Sequence, residues 1–159
     1  MTLFDRLRGL FRRDHDAPYA DIVSQSDAHR AVIASGGEAT HTVVLRLDPA
    51  AMENADLEVR WDLERALRKL YPHIAFYDDG YGFARHSESM FLCYATRQPD
   101  PLIAALVDLI ENDKVPGFAM AGAAMIAVAP MADSAGPGEE WTNHRVVYPA
   151  HEAGKPVPD

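Results

Sequence analysis

Residues 41–130 alternate short β-type runs with two helical patterns, and this order constrains the fold more than any other feature. The run Thr42–Leu47 is rich in β-branched residues and ends at Asp48-Pro49. Apolar residues then recur at helical spacing from Val59 to Leu70, and Pro72 ends that pattern. The first half of the segment therefore predicts a strand followed by a helix.

Two further strands are expected after Pro72. One covers His73–Tyr77 and is followed by Asp79-Gly80, a dipeptide typical of tight turns. The next covers Ser89–Thr96, where large apolar residues occupy both sides of the run. Between them, Tyr81–Arg85 is either a short extra strand or part of a loop.

A second helix and a last strand complete the pattern. Asp100 is a suitable N-cap and Pro101 a suitable first helical residue, and a wide apolar face continues to Ile110. Ala123–Ala129 then reads as a strand of small residues. The order β-α-β-β-α-β predicts an α+β domain over residues 41–130 with the ferredoxin-like split βαβ arrangement. In that arrangement two helices cover one face of a four-stranded antiparallel sheet.

The segments outside this domain are less regular. Residues 14–40 are a helical or irregular lead-in, in which Arg30–Ala34 is an alternative strand. Residues 131–159 are rich in Pro and Gly and are expected to be a partly disordered tail. Within this tail, Val146–Tyr148 is apolar enough to add a strand to the domain.

Residues 1–13 have the pattern of a short, basic amphipathic helix. Five apolar side chains fall on one arc of about 120° when drawn at 100° per residue. Arginines flank this stripe on both sides. We expect the helix to dock on its own domain, on a partner or on a membrane surface, because so short a helix is marginal alone in water. The residues expected to make this contact are Leu3, Phe4, Leu7, Leu10, Phe11, Arg6, Arg12 and Arg13.

Net charge divides the chain into two unlike parts. The formal charge of the 159 residues is −9. Residues 1–13 hold four Arg and one Asp, a net +3, so the remainder carries −12. An acidic body disfavours nucleic acid as the main partner, since phosphate binding needs a basic surface. One cysteine, Cys93, excludes an intrachain disulfide, and the apolar residues around it favour a buried, unreactive thiol.

The densest polar segment lies between Tyr77 and Glu88. Its weak candidates for catalysis are Asp79, Arg85, His86 and Glu88, because a histidine beside carboxylates can act as a general base. The alternative is a solvated connection, which is the commoner role of charged loops. The chain has no phosphate-binding loop, nucleophile elbow or metal-ligand spacing, so no cofactor and no metal is expected.

These observations favour a non-enzymatic binding or interaction domain. A protein partner or self-association, for example as a homodimer, is expected. Weak membrane contact through residues 1–13 is an open alternative. Two other functions stay open: a small enzyme or ligand-binding domain with a site around Tyr77–Glu88, and an immunity-type inhibitor whose acidic face covers a basic partner. We expect a cytoplasmic location, with peripheral membrane contact as the alternative.

Overall fold

The computed structural model describes residues 39–84, 87–131 and 143–158, which form one antiparallel sheet and two helices. The α+β class predicted from the sequence is confirmed. Short 3-10 turns cover Pro49–Ala51 and Ala150–Glu152. The strands are β1 (His41–Leu47), β2 (Phe76–Phe83), β3 (Met90–Thr96), β4 (Ala124–Pro130) and β5 (Arg145–Tyr148), and the helices are α1 (Val59–Leu70) and α2 (Pro99–Glu111).

The sheet has five strands rather than the predicted four, in the order β2-β3-β1-β4-β5. The extra strand is β5, the apolar run of the C-terminal segment that was expected to add a strand. It pairs antiparallel with β4, where Ala127 lies opposite Val146. The chain then turns back, and Val146 donates from its amide to Lys155 O at 3.0 Å and accepts from Gly154 N at 2.8 Å.

Two element boundaries differ from the prediction. Strand β2 begins at Phe76 rather than His73, because Pro72 and His73 form a turn in which Ile74 N donates to Tyr71 O at 3.0 Å. Helix α2 begins at Pro99, with Gln98 as N-cap, rather than at Asp100 and Pro101. Pro99 also lacks an amide hydrogen, so it fills the first helical position as well as Pro101 would.

Both helices pack on one face of the sheet, which we call the helix face. From β1, Val43, Leu45 and Leu47 point to this face and are fully buried, as their alternation predicts. The apolar stripes of the helices cover them and close the main core. The fully buried helix residues of this core are Val59, Leu63, Leu67, Leu102, Leu106, Leu109 and Ile110.

Polar contacts at the helix ends connect α1 to α2. The Tyr71 hydroxyl, just after α1, donates to Asp108 Oδ2 in α2. The Lys114 ammonium, 2.6 Å from the same oxygen, contributes most to holding the pKa of Asp108 below its ordinary value. The Lys114–Asp108 pair is partly exposed to water, so it adds orientation more than stability.

Truncation of the core should destabilise the fold strongly. We expect Leu106→Ala to lower the free energy of unfolding by about 2–5 kcal/mol, because it removes buried contacts and leaves a cavity. The control is Leu70→Ala on α1, whose side chain is 46% exposed. It should cost below about 1 kcal/mol. Urea unfolding followed by circular dichroism measures both values, and an equal loss in the two variants would contradict this packing.

His144 is a buried titratable group at the start of β5. Its side chain is 0% exposed, and burial lowers its pKa from 6.5 to about 4. The folded protein therefore keeps this imidazole neutral at a pH where the unfolded chain protonates it. Its contribution to stability is complete above about pH 6.5 and is lost as the pH falls toward 4.

The pH dependence of unfolding should report His144 directly. Between pH 7 and 4.5, we expect the wild-type protein to lose about 1–3 kcal/mol more stability than His144→Gln, which cannot take up the proton. His151→Gln is the matched control, because His151 is 76% exposed. Urea unfolding at several pH values gives the slopes, and parallel slopes for wild type and His144→Gln would refute the assignment.

Candidate functional site

Strand β2 contains a β-bulge where the sequence predicts a tight turn. Asp78 lies opposite Tyr94 of β3, and Gly80 lies opposite the next residue, Cys93, so Asp79 is one residue too many. Gly80 has a φ of 113°, a conformation that side chains rarely allow. The Asp79-Gly80 turn prediction is therefore wrong. The same residue types suit a bulge, and pairing with β3 continues to Phe83.

The bulge reverses the direction of every later side chain in β2. Phe76 and Asp78 point to the helix face, so simple alternation would direct Tyr81 and Phe83 to the opposite face. With the extra residue, Tyr81 pairs with Leu92 and Phe83 with Met90, both of which belong to the core beneath the helices. The bulge thus brings two aromatic rings to the side of the sheet that carries α1.

One carboxylate holds both the bulge and α1. Asp78 Oδ1 accepts from Gly80 N at 2.8 Å. Its other oxygen, Oδ2, accepts from Arg60 Nε at 3.1 Å and from Arg60 Nη2. The side chains of Arg60 and Asp78 are 16% and 13% exposed, so this pair is largely removed from water. Arg60 is the second residue of α1, where the helix dipole disfavours a cation, and Asp78 offsets that effect.

The Arg60 guanidinium also lies between two aromatic rings. Its central carbon is 4.5 Å from the centre of the Trp61 ring and 4.3 Å from that of Tyr81. The Tyr81 ring in turn meets Phe83 edge-on, with centroids 6.2 Å apart. Tyr81 is 37% exposed and Trp61 is half-buried, so the group reaches the surface. We call Arg60, Trp61, Asp78, Tyr81 and Phe83 the Arg60 patch.

A second ion pair lies one turn further along α1. Arg68 donates to Glu64 Oε1 through Nε at 3.0 Å and Nη2 at 2.6 Å, and the two side chains are 11% and 4% exposed. Burial raises the pKa of Glu64, and the bond from Arg68 partly opposes this. The Arg68 guanidinium packs over Phe76 with its central carbon 4.9 Å from the ring centre. The Glu64–Arg68 pair thus lies beside Phe76, the first residue of β2.

The Tyr94 hydroxyl lies beneath these pairs. It is completely buried and makes no hydrogen bond to the described residues. Burial raises its pKa well above the ordinary value, and the charges of Asp78 and Glu64 raise it further. Both neighbouring carboxylates accept bonds from arginines. The arrangement therefore suits fixing side chains in place better than taking up a proton.

The structure places only two of the four weak candidates from the polar segment. Asp79 is the exposed extra residue of the bulge, and Glu88 is exposed before β3. Arg85 and His86 lie outside the described residues. So do all eight contact residues predicted in the N-terminal segment: Leu3, Phe4, Leu7, Leu10, Phe11, Arg6, Arg12 and Arg13.

Sequence reasoning missed Arg60 and Trp61, the helical half of the patch. They lie 18 and 17 residues before Asp78, on a helix whose visible signal is its apolar stripe. One signal pointed to the region, the cluster of polar residues around Asp78. The pairing itself depends on the position of α1 relative to β2, which a local pattern does not encode.

Comparisons with known proteins give no relative from which a role could be carried over. Family models, curated proteins and solved structures were all compared with the chain, and none matched. Among residues 39–84, 87–131 and 143–158, no helix has the length and apolar character needed to cross a membrane. The same residues include no group of three or more His, Cys, Asp or Glu placed to hold a metal ion.

Removal of Asp78 should lower the stability far more than removal of a carboxylate from a more exposed ion pair on α1. Asp78→Ala leaves the Arg60 charge nearly buried without its carboxylate, and we expect a loss of about 2–4 kcal/mol in unfolding free energy. The control is Asp62→Ala, which removes the partner of Arg65, a residue 60% exposed. It should change stability by about 0.5 kcal/mol or less. Chemical unfolding of both variants tests this, and equal losses would contradict a buried Arg60–Asp78 pair.

Proposed function

We propose that this protein is a non-enzymatic interaction domain that binds a protein partner through the Arg60 patch and the adjoining edge of β2. The observation that carries the proposal is the Arg60 guanidinium held between Trp61 and Tyr81 at the surface. Trp, Tyr and Arg are the residue types that contribute most energy in protein interfaces. Here all three lie together on a single surface.

The patch is already ordered before any partner arrives. Asp78 fixes the guanidinium through two donors, and the guanidinium fixes the rings on either side. Binding of a partner to these rings therefore costs less side-chain entropy than binding to mobile side chains would. Pre-organisation of this kind supports binding, in addition to holding the bulge and α1 together.

The neighbouring sheet edge indicates the form of the partner. Strand β2 is the outermost strand of the described sheet beside β3. An extended segment can add to such an edge through backbone hydrogen bonds while its side chains occupy nearby pockets. The bulge at Asp79 interrupts the edge, so pairing is best along Tyr81–Phe83, next to the patch. We propose an extended segment with an apolar side chain that packs on Tyr81.

The negative charge near the patch indicates that the partner segment is basic. Asp79 and Glu88 are both exposed, one at the bulge and one just before β3. Residues 14–159 carry a net charge of −12 and residues 1–13 a net +3, which gives the total of −9. An approaching segment with basic residues beside its apolar side chain would be attracted to this surface. The weak catalytic candidates Asp79 and Glu88 thus take the role of steering charges.

The finer fold and location belong to the same proposal. We propose that β1 to β4 with α1 and α2 form a ferredoxin-like split βαβ unit, to which β5 is added at the edge beside β4. The order β2-β3-β1-β4 within the sheet supports this assignment. We also propose a cytoplasmic location, supported by the single buried cysteine of the chain.

Alanine substitution within the patch should weaken binding of the partner. We expect Trp61→Ala and Tyr81→Ala each to weaken binding at least about tenfold, because interface aromatic residues commonly contribute more than 1.4 kcal/mol. The full-length protein and its variants are immobilised, and the proteins that they capture from the native cell extract are quantified by mass spectrometry. The affinity of each captured protein is then measured by calorimetry. Sedimentation velocity tests in parallel whether the partner is a second copy.

The matched control is Leu70→Ala, which removes an exposed apolar side chain from the other end of α1. Circular dichroism establishes that all three variants keep the native sheet. If the captured proteins and the self-association of Trp61→Ala and Tyr81→Ala equal those of Leu70→Ala and wild type, the Arg60 patch is not the docking surface.

A further inference from the structure

The face of the sheet opposite the helices, which we call the second face, is buried although it lies away from the main core. Of the side chains at alternate positions of β1, β3 and β4 on this face, seven are no more than 3% exposed, while Arg46 and Met125 are partly exposed. They include a large ring and a branched side chain as well as small residues. The seven are Thr42, Val44, Phe91, Cys93, Ala95, Ala127 and Ala129, and Val146 of β5, opposite Ala127, is also buried.

Such burial requires a covering layer. On an open sheet face, Val44 and Phe91 would each leave much of the side chain in water, because strand neighbours cover only its flanks. Yet their exposed fractions are 1% and 3%. Within the described residues, the apolar side chains packed against Val44, Phe91 and Cys93 are Ala84 and Val157, both small or only partly buried. Ala84 and Val157 are too small to cover three strands, and Met125 and Val146, which share this face, lie in the sheet itself.

Two segments of more than ten residues lie outside the described part of the chain, residues 1–38 and 132–142. Residues 132–142 are short and contain Asp133, Glu139 and Glu140 with two glycines and a proline, so they offer only Trp141 as a large apolar group. Residues 1–38 are more than three times as long. They carry the apolar stripe of the predicted helix as well as Tyr19, Ile22, Val23, Val32 and Ile33.

We infer that residues 1–38 cover the second face and that the stripe formed by Leu3, Phe4, Leu7, Leu10 and Phe11 supplies part of this cover. The segment leads directly into β1 through Thr40, whose amide donates to Thr96 O at 3.0 Å. It therefore reaches the sheet at the central strand. Small side chains such as Ala95, Ala127 and Ala129 leave room for a close approach.

This inference goes beyond the proposed docking surface, which is on the other side of the sheet. It selects one of the three contacts expected for the basic helix: its own domain, rather than a partner or a membrane. Residues 1–13 carry a net +3 and the rest of the chain −12, so the two parts attract each other electrostatically. Membrane binding by this helix would first require its release from the sheet.

Cys93 provides a native reporter of the cover. It is the only cysteine, it belongs to the second face and it is 1% exposed. In the full-length protein its reaction with a maleimide should be slow, because the reagent reaches the thiol only when the cover opens. In Leu7→Asp/Leu10→Asp, charges on the stripe should weaken the cover and speed labelling at least about tenfold.

The matched control is Thr2→Asp/Gly9→Asp, which adds the same charge on the opposite side of the predicted helix. It should label as slowly as wild type. Near-UV circular dichroism reports whether each variant keeps its packed core, so that local uncovering is separated from global unfolding. Equal labelling of the stripe variant and the control, with native spectra in both, would overturn the inference. So would rapid labelling of wild type.

Photo-cross-linking tests the same contact without disturbing the stripe. Phe11 is replaced by p-benzoyl-phenylalanine in the full-length chain, a change that keeps an aromatic ring, and Gly9 receives the same residue as the matched site. Illumination of dilute protein followed by peptide mass spectrometry locates the bonds. We expect intramolecular cross-links from position 11 to residues 42–46 or 91–95. Cross-links only to other copies, only to the helices, or equal yields from both sites would refute the inference.

Discussion

The Asp78 carboxylate makes the interaction on which the edge of this structure depends. One oxygen binds Gly80 N within the bulge, and the other binds Arg60 of α1. Because both contacts use the same side chain, the shape of the edge strand and the position of the first helical turn are coupled. The largely buried Arg60 charge is tolerated only while this carboxylate balances it. The stacking of Arg60 between Trp61 and Tyr81 follows from that position.

The bulge shows how one residue changes a surface. Side chains of a strand alternate between its faces, so inserting Asp79 moves Tyr81 and Phe83 to the side of the helices. An unbulged β2 would direct these rings to the second face and leave Arg60 without Tyr81. The surface that we propose for binding therefore depends on backbone geometry as much as on residue type. Its charged groups are paired, which suits recognition better than proton transfer.

The two faces of the sheet are both buried, but they bury side chains of different size. On the helix face, large aliphatic side chains of α1 and α2 close a core around Leu45 and Ile126. On the second face, smaller residues around Val44 and Cys93 are buried just as completely, and burial raises the pKa of Cys93 to about 12. A sheet buried on both sides explains why β3 has no polar alternation.

The sequence by itself determined the order of the elements, the limits of α1 and the contrast between a basic start and an acidic body. These follow from local periodicity, Pro and Gly positions and charge, each of which acts over a few residues. Tertiary structure decided that Asp79-Gly80 is a bulge, that the C-terminal run pairs with β4, and that Arg60 meets Asp78 and Tyr81. Those outcomes depend on pairing between residues distant in the chain. The distances between such residues are fixed by the strand register and by the direction of α1. No local sequence pattern specifies either of these.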